Sequence, residues 1–241
     1  MTTDTLHLLT HKIKGAWCIG KVAAVLFLDI EGAFPNTVPA RLIHNLRKRG
    51  LPHKYIDFID GMLCDRVTTL KFNSYISSPI EINNGIGQGD PLSMVMYQFY
   101  NADLVDIPSS KSEDALAYVN NTILLATVDT FNKAHEKLYS MMIRQRGVAD
   151  WSKTHNSPLE YSKLALINFA HRSNCKESAT LQLPQRQIEP SSSTKYLGMI
   201  LDQNLSWKTQ QAHAIEKGTK WAVQIRRIMR TMWGITPKHA R

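Results

Sequence analysis

Seven consecutive apolar residues, Val22 to Leu28, place the strongest limit on what this chain can fold into. An extended run alternates its side chains between two faces, and here both faces are apolar. Such a strand belongs in the middle of a sheet rather than at its edge. The run is far too short to cross a bilayer. It ends abruptly in Asp29, so a carboxylate emerges where the strand stops.

The residues around this strand read as alternating helices and hairpins. Leu6 to Ala16 and Val38 to Arg49 have helical patterning, the second closed by Gly50 and Pro52. His53 to Leu63 is a further helix. Arg66–Phe72 and Tyr75–Ile82, joined by Asn73-Ser74, form a hairpin signal. Pro91 opens a helix expected to reach Val105. Asp114–Val119 and Thr122–Thr127 read as a second hairpin around Asn120-Asn121. A long helix is expected from Thr130 to Trp151, a strand at Lys163–Phe169, and two short strands around Glu189-Pro190-Ser191. A basic helix from Leu205 to Trp233 follows. Hairpins without a βαβ repeat predict an α+β fold with a largely antiparallel sheet. A boundary is expected near Asn174, dividing 1–174 from 175–241.

Charge is unevenly spread. The net charge is +9, and Ser206 to Arg241 contributes eight basic residues against one acid, Glu216. A segment of this kind suits a polyphosphate partner, and a solvated helix face accounts for it equally well. The three cysteines, Cys18, Cys64 and Cys175, are widely spaced and form no zinc or disulfide pattern. The first residues lack the layout of a signal peptide. These features predict an intracellular protein of nucleus or cytoplasm, without membrane insertion or an identifiable targeting signal.

Three short segments carry candidate chemistry. In Leu26-Phe27-Leu28-Asp29-Ile30-Glu31-Gly32-Ala33-Phe34 the strand-end Asp29 is a possible metal ligand; a turn or capping Asp would look the same. In Gly85-Ile86-Gly87-Gln88-Gly89-Asp90-Pro91-Leu92-Ser93 the glycines allow backbone to approach a ligand, and Gln88 can hydrogen-bond a base or sugar. In Ala117-Tyr118-Val119-Asn120-Asn121-Thr122 the Asn pair suits a tight turn, because Asn tolerates left-handed backbone.

In this order, the three segments resemble the palm motifs of reverse transcriptases, above all those of non-LTR (LINE-like) retrotransposons. Leu-Asp-Ile-x-Gly-Ala-Phe resembles the first motif, Gly-Ile-x-Gln-Gly-x-Pro-Leu-Ser the second, and Ala-Tyr-Val-x-x-Thr the third. Trp151, Lys163 and Phe169 resemble the pattern that follows. Tyr196-Leu197-Gly198, Asp202 and Leu205-Ser206-Trp207 resemble a later block of the same family. The resemblance covers nearly the whole chain. It implies a right-hand polymerase palm, a ferredoxin-like antiparallel sheet with helices on one face, followed by a helical thumb-like segment. Most of the fingers is expected to lie outside the chain.

The resemblance also assigns roles. RNA-directed DNA polymerases of this kind use two Mg²⁺ (or Mn²⁺) ions held by three Asp, one from the first motif and two from the third. Asp29 matches the first; Asn120 and Asn121 stand at the other two. Phe34, Gln88 and Gly89 match nucleotide contacts, and Lys163 matches a late palm lysine placed to protonate pyrophosphate. In isolation Lys163 reads as a surface lysine at a strand entry. Lys217, Lys220, Arg226, Arg227 and Arg230 are the expected nucleic-acid contacts, with an RNA template and a DNA primer as partners. Two divalent ions about 4 Å apart repel by roughly 17 kcal/mol at an effective dielectric near 20, which one Asp does not offset. Catalysis is therefore expected to be lost or cut by orders of magnitude, leaving open whether the chain is an enzyme. A module that binds nucleic acid or serves as a scaffold, without catalysis, is the competing reading. Asp114 and Asp129 lie too far along their strands to substitute; Asp114 is about 20 Å from Asn120 at 3.3 Å per residue. The tryptophans Trp207, Trp221 and Trp233 are expected to pack in a core rather than stack on bases.

Overall fold

The computed structural model describes residues 2–171 and 180–228. In chain order its elements are α1 (Thr2–Cys18), β1 (Val22–Asp29), α2 (Pro39–Lys48), α3 (His53–Leu63), β2 (Val67–Thr68), β3 (Lys71–Phe72), β4 (Tyr75–Ile76) and β5 (Ile80–Glu81). Then come α4 (Pro91–Tyr100), α5 (Ala102–Val105), β6 (Glu113–Tyr118), β7 (Asn121–Val128), α6 (Phe131–Ile143) and α7 (Val148–Thr154). A short 3-10 turn, Tyr161–Lys163, leads into β8 (Ala165–Phe169). The described chain ends with β9 (Leu181–Gln182), β10 (Gln187–Ile188), β11 (Ser193–Tyr196), β12 (Met199–Asp202) and α8 (Lys208–Ile228).

The main sheet has the order β6-β7-β1-β8, and every neighbouring pair is antiparallel. As its apolar run requires, β1 is central. Ala24, Leu26 and Leu28 face one core, shared with α2, α3, α4, α6 and α7. Ala23, Val25 and Phe27 face a second core, built from Leu6, Leu9 and Ile13 of α1 and from Tyr196 and Leu201 of the β11–β12 hairpin. The helical layer expected on one face is present, and to it the structure adds α1 and a hairpin on the other. The reason is β1 itself: a strand apolar on both sides leaves neither face to water.

Several expected elements are broken where backbone chemistry demands it. The helix expected over Thr130–Trp151 divides into α6 and α7 at Gly147, where a Cβ would lie 2.6 Å from the Met141 carbonyl and 2.7 Å from that of Arg144. The helix from Pro91 to Val105 divides at Asn101. The Arg66–Ile82 hairpin is a broken ribbon of two-residue strands, and Val67, Phe72, Tyr75 and Ile76 are exposed along it. Four short strands, not two, occupy residues 181–202.

Leu181, Leu183 and Ile188 fill the first core, and Tyr196, Leu201 and Leu205 fill the second. Packing therefore continues through the boundary expected near Asn174, which itself lies outside the described residues. Beyond these strands the chain leaves the core at α8, which is exposed from Ala214 to Arg227. At that exit Asp202 organises the loop. Its carboxylate accepts hydrogen bonds from the backbone N–H groups of Asn204, Ser206 and Trp207 at 3.1, 2.9 and 2.9 Å. The bends with left-handed backbone at Leu205 and Trp207 are held by this carboxylate, so the Asp of the later sequence block has a structural task. Trp207 packs partly against the second core, as expected. Trp221 does not; it is 58% exposed. Trp233 and Cys175 lie outside the described residues.

Candidate active site

The first and third sequence motifs meet at one end of the sheet because of strand register. Antiparallel pairing sets Asp29 of β1 directly opposite Asn121 of β7, and Tyr118 of β6 opposite the same Asn121. The β6–β7 turn is thus only Val119-Asn120. The left-handed residue of that turn is Val119 (φ 53°), not either Asn. A β-branched residue pays a steric penalty there, which must be met by contacts elsewhere. One such contact is visible. Asn101, buried at the α4–α5 break, donates its side-chain N–H to the Val119 carbonyl. No sequence signal marks Asn101 for this role, since its partner is far along the chain.

A second strand end supplies the cation. Ile30 bridges to Leu159, and the backbone N–H of Glu160 donates to the Asp29 carbonyl at 3.1 Å. This lays the 3-10 turn beside β1, so that Lys163 Nζ lies 3.1 Å from Asp29 Oδ2. Lys163 remains 62% exposed, as a surface lysine would, yet its charge is committed to Asp29. The hydrogen bond and charge of Asp29 raise the Lys163 ammonium above its ordinary value, so it stays protonated. On the other carboxylate oxygen, Asn120 Nδ2 donates to Asp29 Oδ1 at 3.3 Å, and Asn121 Nδ2 donates to Asn120 Oδ1 at 3.0 Å. A carboxylate has only acceptors, so the Asn120 amide must present its N–H side to Asp29.

These residues do not fit a pair of divalent cations. Among the described residues no three His, Cys, Asp or Glu side chains gather to hold a metal. Asp29 is the single carboxylate of the cluster, and its oxygens already face an ammonium and an amide donor. Besides Asp29, the acids in electrostatic reach of Lys163 are Glu160 and Glu31; Asp114 and Glu113, at the far end of β6, are paired there, Asp114 with Lys12 at 2.8 Å and Glu113 with Arg144 and Lys137.

The second motif is placed against the first by backbone. Gly85 N–H donates to the Thr37 carbonyl at 2.7 Å and Ile86 N–H to the Phe34 carbonyl at 2.9 Å. Gly85 has φ 86°, and a Cβ there would lie 2.9 Å from the Pro35 carbonyl oxygen. The close approach that its glycine permits is therefore between two loops of the protein, not between the loop and a ligand. Gly89, also at positive φ, has open space around it. Phe34 is half-buried with its ring 5.5 Å from that of Tyr97 on α4. Burial, together with the neighbouring Tyr100, pushes the Tyr97 phenol up, so it stays neutral. Asp90 caps α4 by accepting from Leu92 N–H at 2.9 Å, and Gln88 and Gly89 are exposed just before it. Asp29, Asn120, Asn121 and Lys163 form one contact cluster, and Phe34 lies in the adjoining loop.

The expected nucleic-acid contacts Lys217, Lys220, Arg226 and Arg227 lie exposed on α8, with Lys220 paired to Glu216 at 2.6 Å. Arg230 lies outside the described residues. No described helix is long and apolar enough to cross a membrane.

A four-stranded antiparallel sheet whose central strand ends in an Asp opposite a tight hairpin turn, backed by helices, is consistent with the polymerase palm that the resemblance implies. The fold matches telomerase from Candida tropicalis at a TM-score of 0.59, with 10% identity, over 84% of this chain and 35% of that one. It matches the same telomerase in complex with a TWJ fragment of telomeric RNA at 0.58, over 86% of this chain and 34% of that one. No protein-family model matches the chain. Curated relatives do. The chain is 25% identical over 211 residues to the retrovirus-related Pol polyprotein from type-1 retrotransposable element R2 of Popillia japonica, covering 82% of this chain and 34% of the relative. It is 23% identical to the probable RNA-directed DNA polymerase from transposon BS of Drosophila melanogaster, covering 86% of this chain and 23% of the relative. Over most of its length the chain is thus similar, at modest identity, to non-LTR retrotransposon reverse transcriptases. It spans about a third or less of the length of these relatives.

Proposed function

We propose that this chain is a reverse-transcriptase palm that keeps surfaces for nucleotide and nucleic acid but has lost two-metal nucleotidyl transfer. The observation that carries the reading is the surroundings of Asp29. Where the resemblance calls for two more carboxylates, Asn120 donates a hydrogen bond and Lys163 supplies the counter-charge. The divalent ions, when bound in the relatives' kind of site, would activate the primer hydroxyl and hold the triphosphate. Here Lys163 offsets the charge of Asp29, and the next acids in reach of that ammonium, Glu160 and Glu31, do not gather with Asp29 into a three-residue metal set, so little carboxylate charge is left to offset the dehydration of a dication. Phe34, Gln88 and Gly89 keep the nucleotide side of the site. Lys217, Lys220, Arg226, Arg227 and Arg230 serve the phosphate backbone of an RNA template and DNA primer.

The alternative reading, a binding module without catalysis, is supported by α8. That helix leaves the body with its cations and Trp221 exposed, a combination suited to phosphate contact with base stacking. The two readings share the loss of chemistry and differ in whether the palm still positions a primer.

The test is primer extension on an RNA template with Mg²⁺ or Mn²⁺, comparing the parent with Asn120→Asp/Asn121→Asp, alongside primer–template binding by both. The expected result is no product from the parent and extension by the double variant, at a rate higher by orders of magnitude. Extension by the parent would overturn the proposal. If both bind but neither extends, the Asn pair is not the sufficient lesion and the binding-module reading takes its place.

A further inference from the structure

A cleft of about 770 Å³ opens between α2, α5 and α7, and it shares no residue with the cluster around Asp29. Its volume lies in the range that holds small ligands. Its charges are unevenly used. The carboxylates on its wall are satisfied within the protein: Asp103 pairs with Lys48 and Arg49, Asp106 pairs with Arg49, and Asp150 accepts from the backbone N–H of Arg146 at 2.9 Å. The cations Arg41, Arg146 and Lys153 also line the cleft, and none of the three side chains has an ion-pair partner among the described residues. They come from three places in the chain, α2, the α6–α7 turn and α7.

Two of these cations are costly to place. Arg41 is half-buried, and a guanidinium partly withdrawn from water without a counter-ion is destabilising. Arg146 occupies left-handed backbone at φ 61°. The cleft floor is Trp151, buried and stacked on His155 with ring centroids 4.8 Å apart. His155 is itself fixed, with Nδ1 3.1 Å from the Trp151 carbonyl and Asn45 Nδ2 3.3 Å from its Nε2. Burial first, with help from the Arg41 charge, pushes its pKa down to about 4, so the floor is neutral and the positive field comes from the walls.

We propose that this cleft is an anion site for a phosphate group, either a free di- or triphosphate ester or the phosphodiester of an RNA strand. Arg41, Arg146 and Lys153 are its ligands, and of the three the backbone of Arg146 is held by the Asp150 carboxylate. Arginine suits the task because its planar fork matches phosphate oxygens two at a time.

The full chain is titrated calorimetrically with inorganic pyrophosphate and, separately, with a 12-nucleotide RNA. The same titrations are run on Arg41→Gln/Arg146→Gln/Lys153→Gln and on a charge-matched control, Lys14→Gln/Lys54→Gln/Lys111→Gln. Saturable pyrophosphate binding that weakens at least tenfold in the cleft variant, and not in the control, supports the site and assigns it a free phosphate ester. A tenfold loss confined to RNA supports it with the phosphodiester as the source. In the unaltered chain pyrophosphate or RNA should also protect Arg41 and Arg146 from phenylglyoxal, a readout independent of how the variants fold. Absence of binding and protection, or equal losses in the two variants, overturns the proposal.

Discussion

Glu113 at the start of β6 and Asp29 at the end of β1 are both acids with cations in reach, at opposite ends of one sheet. Glu113 is 3% exposed and saturated: Arg144 lies 2.9 Å away, Lys137 3.3 Å, and the Ser109 backbone N–H donates at 3.0 Å. Burial alone would push its pKa up; those three partners overcome it and hold the carboxyl down at about 2. Asp29 is 27% exposed, has one exposed lysine and one amide donor at 3.3 Å, that of Asn120, and sits beside a strained turn. A buried charge must be fully met or the protein does not tolerate it. A charge kept for chemistry is left open to what will bind it. The difference in saturation separates the structural acid from the acid of the proposed site, although both look like ion pairs.

The largest effect that can break this comparison comes from Glu113→Gln. Two cations would be left half-buried around a neutral group, at a cost of about 3 kcal/mol in a urea melt. Asp29→Asn should leave the urea midpoint unchanged within error, since a partly exposed pair contributes little to stability. Similar losses for the two would show that Asp29 is structural after all. Next, Asp202→Ala should cost about 2 kcal/mol, because three backbone donors lose their acceptor. That separates Asp202, the acid of the later block, from Asp29 in the same assay.

Acid should reveal two windows. A carboxyl whose folded pKa is depressed stabilises above its unfolded pKa and loses that contribution as pH falls through the folded one. For Glu113 the window runs from about 4.5 to about 2. His155 is also depressed, from 6.5 to about 4, and the unfolded chain binds its proton more readily; stability is lost as pH falls across that range. Both act in the same direction, so stability should decline from about pH 6.5 downward, with on the order of 2 kcal/mol of the later decline missing in Glu113→Gln. Stability flat from pH 6.5 to 4 would show that His155 is not held neutral. The smallest loss of stability expected above error is that of Asn101→Ala, about 1 kcal/mol. Its sharper consequence is in the Asn120→Asp/Asn121→Asp background, where releasing the Val119 carbonyl should lower primer extension more than it lowers stability.

Much of the site was legible in the residues. Asp29 was marked by the apolar run before it, and the Asn pair by the turn between two extended runs. The resemblance supplied Lys163 as a site residue; what it touches was not readable, because its reach to Asp29 depends on the Ile30–Leu159 bridge. The turn residue was misplaced by one. Asn is the residue that tolerates left-handed backbone, but register put the turn at Val119-Asn120, and Asn101 supports it. The cleft on α2 was invisible, because Arg41, Arg146 and Lys153 are neighbours only in space. The exposure of Trp221 was likewise unreadable: a tryptophan on a helix packs or not according to what covers that helix.

By itself the sequence determined what depends on neighbours along the chain: a central strand from seven apolar residues, a helix start from Pro91, and hairpins from alternating runs around turn residues. It also determined that uncharged Asn stands at positions 120 and 121. Tertiary structure alone decided what those residues meet: that both faces of β1 are covered, that Lys163 rather than another acid sits at Asp29, and that Glu113 is buried. Pairing distances between residues remote in sequence depend on strand register and helix packing, which arise from the cooperative burial of the whole core and are not encoded at any one position.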